Sequence, residues 1–218
     1  MLSTVRLSLK TFNYKLFLGL LSLGFIPTIY TTIRVFLIGQ LPNEWSFSIA
    51  GQLSWISLFY EILNEAIILP LFFFISKVKD DIKAYTNRLQ TGLLLSGSVY
   101  IFFSLVILVF AEPMVLGMAT DLNIIKETVQ YIRIESIANI FILLTQFALV
   151  ALVSVNKAKY LYILTFARLF LCISLDTLFI STLPFSLNLG VNGIGYSNII
   201  VNSMLFVVSV YLLSKENV

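Results

Sequence analysis

Six long apolar runs alternate with short polar stretches along the 218 residues of this chain. A helix needs about 20 mostly apolar residues to cross a bilayer. The pattern predicts spans at Leu16 to Ile38, Ile49 to Ile75, Leu93 to Phe110, Ile132 to Val153, Tyr160 to Thr182 and Ile194 to Leu213. The prediction is therefore an all-α membrane protein, with a six-helix transmembrane lobe over 16–213. Ahead of it, residues 1–15 read as a basic amphipathic segment lying on the membrane surface, and 214–218 as a short tail. The first run is too long for a signal-peptide core and lacks a small-residue cleavage site, so it is expected to remain in the mature protein.

The polar stretches carry an uneven load of cations. Lys and Arg are retained on the cytoplasmic side of a membrane. Arg6, Lys10, Lys15, Lys77, Lys79, Lys83, Arg88, Lys157, Lys159 and Lys215 fall on one side of the six-span arrangement, against Lys126 alone on the other. Both termini are thus expected in the cytoplasm, with a bacterial inner membrane as the setting. The longest polar stretch, "SKVKDDIKAYTNRLQTG", is expected to hold a short interfacial helix.

Composition agrees with the pattern. Hydrophobic residues make up 59% and charged residues 11%, and the mean hydropathy is +0.97, beyond what one soluble core could hide. Histidine is absent and cysteine occurs once, at Cys172, so no internal disulfide forms and any proton chemistry falls to carboxylates. The net charge of +3 is scattered over loops rather than gathered in a stripe, which gives no reason to expect nucleic acid. No metal-ligand cluster, phosphate loop or nucleophile with an adjacent base is seen, so neither an enzyme nor a cofactor is expected.

The chemistry lies in polar residues that interrupt the spans. A charge at the centre of a membrane helix costs roughly 2.5–3.5 kcal/mol on insertion scales. Span one carries Arg34; span two Glu61, Asn64, Glu65 and, five residues on, the helix-loosening Pro70. Span four carries Glu135, Asn139 and Gln146; span five Thr165, Arg168, Cys172 and Asp176; span six Asn198 and Asn202. Each set falls on one helix face. Lipid penalises such stripes, so they are expected to face one another around a hydrated or ion-paired interior. Single amides in membranes more often hold helices together than bind cargo, which is the structural reading for Asn139, Gln146, Asn198 and Asn202. An intramembrane carboxylate is by default functional. Cys172 suits packing, and Lys126 and Arg133 can extend to the outer interface.

This succession of features resembles the amino-terminal half of the MATE (multidrug and toxic compound extrusion) transporters. The likeness is carried in order by "IRVFLIGQL", "FSIAGQLSWISLFYEI", "MATDLNIIKETVQYIRIESI" with its Tyr131, "LVSVNKAKYLYILTFARLFLCISLDTLFI", and "LNLGVNGIGYSNII" with Gly190 and Gly193. What the resemblance implies is one lobe of an antiporter that exports small amphipathic compounds in exchange for Na+ or H+. In that family the lobe's site uses an Asp on span one, an Asn and an Asp four apart on span five, and polar groups on spans four and six. Here Asp176 keeps the second span-five position, Cys172 replaces the Asn, and Arg34 replaces the span-one Asp.

A cation thus stands where the family offers an anion, and a salt bridge from Arg34 to Asp176 or Glu135 is expected. Family members have two such lobes, so a second copy, a separate half or a truncation is implied by the resemblance. A lipid or lipid-precursor flippase of the wider superfamily, or a membrane module that transports nothing, are the alternatives.

Overall fold

The computed structural model describes residues 14–42, 46–51, 54–118, 121–155, 157 and 159–215, with side chains from residue 28 onward and Phe25 before them, Phe47 excepted. They fold into α1 (Tyr14–Gly39), α2 (Ser46–Gly51), α3 (Ser54–Ser76), α4 (Ile82–Gly117), α5 (Ile125–Ser154), α6 (Lys159–Ile180) and α7 (Asn192–Lys215). Five stretches, one ending in α3 and the others being α4 to α7, are long and apolar enough to cross a bilayer. α1 is helical throughout the first expected span. The chain is an all-helical integral membrane protein. Of the predicted N-terminal segment, residues 1–13 lie outside the described part, and so do 216–218 of the tail.

The expected second span, Ile49 to Ile75, lies within one apolar stretch, Ser48–Ser76, where the Ser54 hydroxyl donates to the Gly51 carbonyl at 2.8 Å. One expectation needs correction. The polar stretch after that span holds no helix of its own. Residues 77–80 form a turn, Asp81 caps the next helix by accepting from the Ala84 amide at 3.1 Å, and the helix runs unbroken for 36 residues from Ile82. The reason is local: an N-cap aspartate stands immediately before a stretch free of Gly and Pro until Gly92. Side chains on that first turn are polar, which made it read as a separate interfacial helix rather than the start of the next span.

α5 is the central helix. Half of its 30 residues are buried, and it touches α3, α4, α6 and α7, with α7 its most extensive neighbour. Two cores meet along it. Tyr60, Leu71, Tyr85, Tyr100, Ile132 and Phe147 belong to one, among α3, α4 and α5. Ala148, Ala151, Leu164, Cys172, Val201 and Leu205 belong to the other, among α5, α6 and α7. Large apolar side chains such as Phe36, Phe73, Leu94, Phe102 and Phe170 are exposed, as lipid-facing positions should be.

Close approach of α7 to its neighbours depends on glycine. A Cβ on Gly195 would come within 2.5 Å of the Ile134 Cγ2 on α5, and one on Gly193 would lie 3.0 Å from Phe179 and Ile180 at the end of α6. Small residues at helix crossings are the general means of packing membrane helices, since lipid supplies no hydrophobic drive between them. The chain reaches α7 through a loop folded back on α6, in which the Leu187 and Leu189 amides donate to the Leu178 and Phe179 carbonyls, each at 2.8 Å. Gly190, at φ +59°, turns it into the helix.

At the other end of α5 the bundle is tied by polar contacts. The buried Tyr85 hydroxyl lies 2.9 Å from the Ala151 carbonyl and 2.8 Å from the Ser154 Oγ. Nearby, Arg88 donates through Nη1 to the Phe74 carbonyl at 2.7 Å and covers the Phe74 ring at 4.5 Å, clasping the end of α3 to the start of α4. Tyr85→Phe should lower stability by about 1 kcal/mol, the net worth of a buried hydrogen bond. Denaturant titration in detergent micelles reads this directly, and an unchanged midpoint would show that the hydroxyl contributes nothing.

Candidate functional site

All seven described helices, α4 through Tyr100 alone, line an open cavity of about 590 Å³. Of the residues expected at a site, Arg34, Glu61, Asn64, Glu135, Asn139, Gln146, Arg168 and Asn198 all line it. The stripes on four spans therefore do converge, with Arg34 added from α1.

The strongest interaction crosses from α1 to α6. Arg34 meets the Asp176 carboxylate with two nitrogens, Nε to Oδ2 at 2.8 Å and Nη2 to Oδ1 at 3.3 Å. The arginine side chain is 11% exposed and the aspartate 2%, so Arg34 reaches the cavity while Asp176 is buried behind it. Such a fork is the geometry by which guanidinium binds carboxylate most strongly. One turn earlier on α1, Tyr30 adds its hydroxyl to Nη1 at 3.4 Å and its ring face at 4.8 Å from the guanidinium carbon.

The network then passes to α7 and back to α5. Arg34 Nη2 also donates to Asn198 Oδ1 at 3.1 Å, and Asn198 Nδ2 donates to Glu135 Oε1 at 2.6 Å. The amide is held by both ends. Its oxygen must face the cation and its nitrogen the anion, so flipping it would set two donors together and two acceptors together. Asn202, one turn on, donates to the Asn198 carbonyl at 2.7 Å, and its own main-chain carbonyl accepts from Thr145 Oγ1 at 2.8 Å.

Several polar atoms on this wall are buried and have no hydrogen-bond partner: Glu135 Oε2, Arg168 Nε and Asn64 Oδ1. Unsatisfied groups of this kind are costly in low dielectric and call for an explanation.

Besides Asp176, buried behind Arg34, three expected positions lie outside the cavity lining. Glu65 is exposed and outside the cavity, because one residue turns the helix by about 100° and carries it away from Asn64. Cys172 is buried in the α5–α6–α7 core. Asn202 is fully buried behind the wall, where it braces Asn198. Pro70 lies inside α3, where it deprives the Ala66 carbonyl of its usual amide.

Tyrosines join the site without having been expected there. Tyr30, Tyr60, Tyr100 and Tyr131 all line the cavity. Tyr60 and Ser104 hydroxyls are 2.7 Å apart, and the Tyr100 hydroxyl donates to the Tyr60 carbonyl at 3.2 Å. The available signal was a phenol within an apolar run, whose hydroxyl must find a partner once buried.

Comparison with known proteins bears on this arrangement. Residues 79–178 match the family model MatE. No curated protein sequence matches the chain. Among solved structures, the chain is similar to a mutant of a MATE protein, at 18% identity and a TM-score of 0.79, over 90% of this chain and 43% of that one. It is similar as well to an outward-facing multidrug resistance MATE family transporter of the MOP superfamily, at 17% identity and a TM-score of 0.78, with the same coverage. A third, a MATE protein in complex with MaD3S, aligns at 19% identity and a TM-score of 0.73 over 86% of this chain and 42% of that one. The chain thus spans less than half the length of the structures whose fold it shares.

Proposed function

We propose, taking the MATE fold as the premise, that this chain is one lobe of a secondary transporter that moves small amphipathic compounds out of the cell by alternating access. Each of the solved structures is more than twice as long as the part this chain covers. A second lobe is accordingly part of the proposal, because rocking needs two bodies around one cleft. In the orientation set by the cationic loops, both termini face the cytoplasm and the membrane is a bacterial inner membrane.

One observation carries this reading: an open cavity to which every helix of the bundle contributes, lined by charged and amide groups that lipid would penalise. Arg34 acts in it as a resident countercharge. Locked on Asp176, it neutralises that carboxylate without a bound ion, so the coupling of Na+ or H+ at that position is displaced. The flippase alternative rests on the two arginines of the wall as seats for an anionic headgroup. Arg34 is already committed to Asp176, leaving Arg168 against Glu61 and Glu135, and this balance favours cationic or neutral cargo.

The test is accumulation of ethidium by liposomes containing the purified protein under imposed Na+ or proton gradients, with the mass of the assembly measured in lipid nanodiscs. Gradient-dependent movement by a dimer is expected. Arg34→Asp, which restores an anion on α1, should make movement newly dependent on the cation in the buffer. If that variant keeps the ion dependence and cargo preference of the parent, the countercharge idea is wrong.

A further inference from the structure

Glu135 is a buried carboxylate with half of its hydrogen-bonding capacity unused. The residue is only 9% exposed, one carboxylate oxygen is held by Asn198 at 2.6 Å, and Oε2 is buried with no partner. That bare oxygen faces Gly195 on α7, where a Cβ would stand 3.4 Å from it, and it is shut off from solvent. Arg34, the nearest strong donor, spends its fork on Asp176 and reaches Glu135 only through the Asn198 amide.

The surrounding groups do not cancel the charge. Tyr30 and Arg34 face this region from α1, Tyr60 and Glu61 from α3, Tyr100 from α4 and Tyr131 from α5 itself. α6 brings Arg168 and Asp176, and α7 brings only amides and hydroxyls. Arg168 keeps a buried Nε without a partner, and no ion pair joins it to Glu135. A carboxylate in a membrane interior with one hydrogen bond and one bare oxygen is several kcal/mol uphill unless something neutralises it. The smallest neutralising species that fits against a glycine is a proton.

We propose that Glu135 is the proton-binding carboxyl of this lobe, and that Asn198 couples its charge to the Arg34–Asp176 pair. Protonation forms one O–H bond on the carboxylate, with the proton drawn from water in the cavity, and release returns it there; no electrons change hands. In the charged state the Asn198 amide is drawn between anion and cation. In the neutral state Oε1 still accepts from Nδ2, but the bond is no longer charge-assisted and the amide leans more on Arg34. The use of this site in transport rests on the function proposed above.

The experiment is pH-difference infrared spectroscopy on the full chain in lipid nanodiscs. A protonated-carboxyl stretch that titrates is expected in the parent, with its loss in Glu135→Gln. Asn198→Leu, which removes the one donor, should move the titration midpoint by about one pH unit. If the band persists unchanged in Glu135→Gln, the proposal is overturned. Should that variant fail to fold, Glu135→Asp serves: its band must shift in frequency, and a band identical to that of the parent overturns the assignment equally. The ethidium assay on the same preparations separates the two ideas. A titrating Glu135 band without gradient-driven uptake sinks the transport reading and leaves the proton site standing, while uptake with a band indifferent to Glu135 does the reverse.

Discussion

Arg34→Ala is expected to cost about 3–5 kcal/mol of stability, the penalty for stranding one member of a buried ion pair. The partner left behind is 2% exposed and loses both guanidinium contacts at once. Asn198 would lose the cation on its oxygen while still donating to Glu135, so the damage spreads from α1 and α6 to α7 and α5. Chemical denaturation in micelles measures it. The informative control is the double change Arg34→Met with Asp176→Leu, which removes both charges and should recover most of the lost stability, since apolar replacements of buried pairs are often neutral. If the double variant is as unstable as the single one, shape rather than charge holds the helices there. A double variant that is stable yet inert in the ethidium assay separates the pair's functional role from its structural one.

The second large effect is expected at Gly195. Adding a methyl group there drives it to within 2.5 Å of Ile134 Cγ2, in the most extensive helix contact of the bundle. Overpacking of this kind typically costs about 1–3 kcal/mol. Gly195→Ala should therefore fall in that range, and Ile134→Ala in the same chain should return part of the loss. A double-mutant cycle measures the coupling, expected at about 0.5–3 kcal/mol for residues in contact. Strict additivity of the two changes would mean that α7 moves aside and the glycine is not what sets its distance from α5.

Much of this was legible in the chain. Apolar length alone located the helices, and the cost of burying charge predicted that stripes on separate spans would converge. The Arg34–Asp176 bridge followed from two opposite charges at matching depth, and its length is 2.8 Å. What escaped was governed by phase and context rather than by residue type. Glu65 shares a periodic face with Glu61, but the cavity looks toward Asn64, and the width of a face is decided by the neighbours that close it. The first turns of α4 read as a separate interfacial helix because Lys83, Asn87 and Gln90 are polar, though a spanning helix readily carries such residues beyond its apolar run. Cys172 and Asn202 obeyed the right spacing and still fell behind the wall, since i, i+4 periodicity gives direction and not distance from the axis of the bundle.

The Arg88 clasp has a mechanical side. A cation that both bonds the last-turn carbonyl of α3 and lies flat on its Phe74 ring makes that end of the hairpin stiff, while Tyr60, Ser104 and Tyr100 fasten it again near its middle. Two helices riveted at two heights cannot slide past one another; they tilt as a single lever. A push on the exposed start of α4 would then arrive at Glu61 as a swing of the cavity wall, with the rivets deciding how faithfully force becomes displacement.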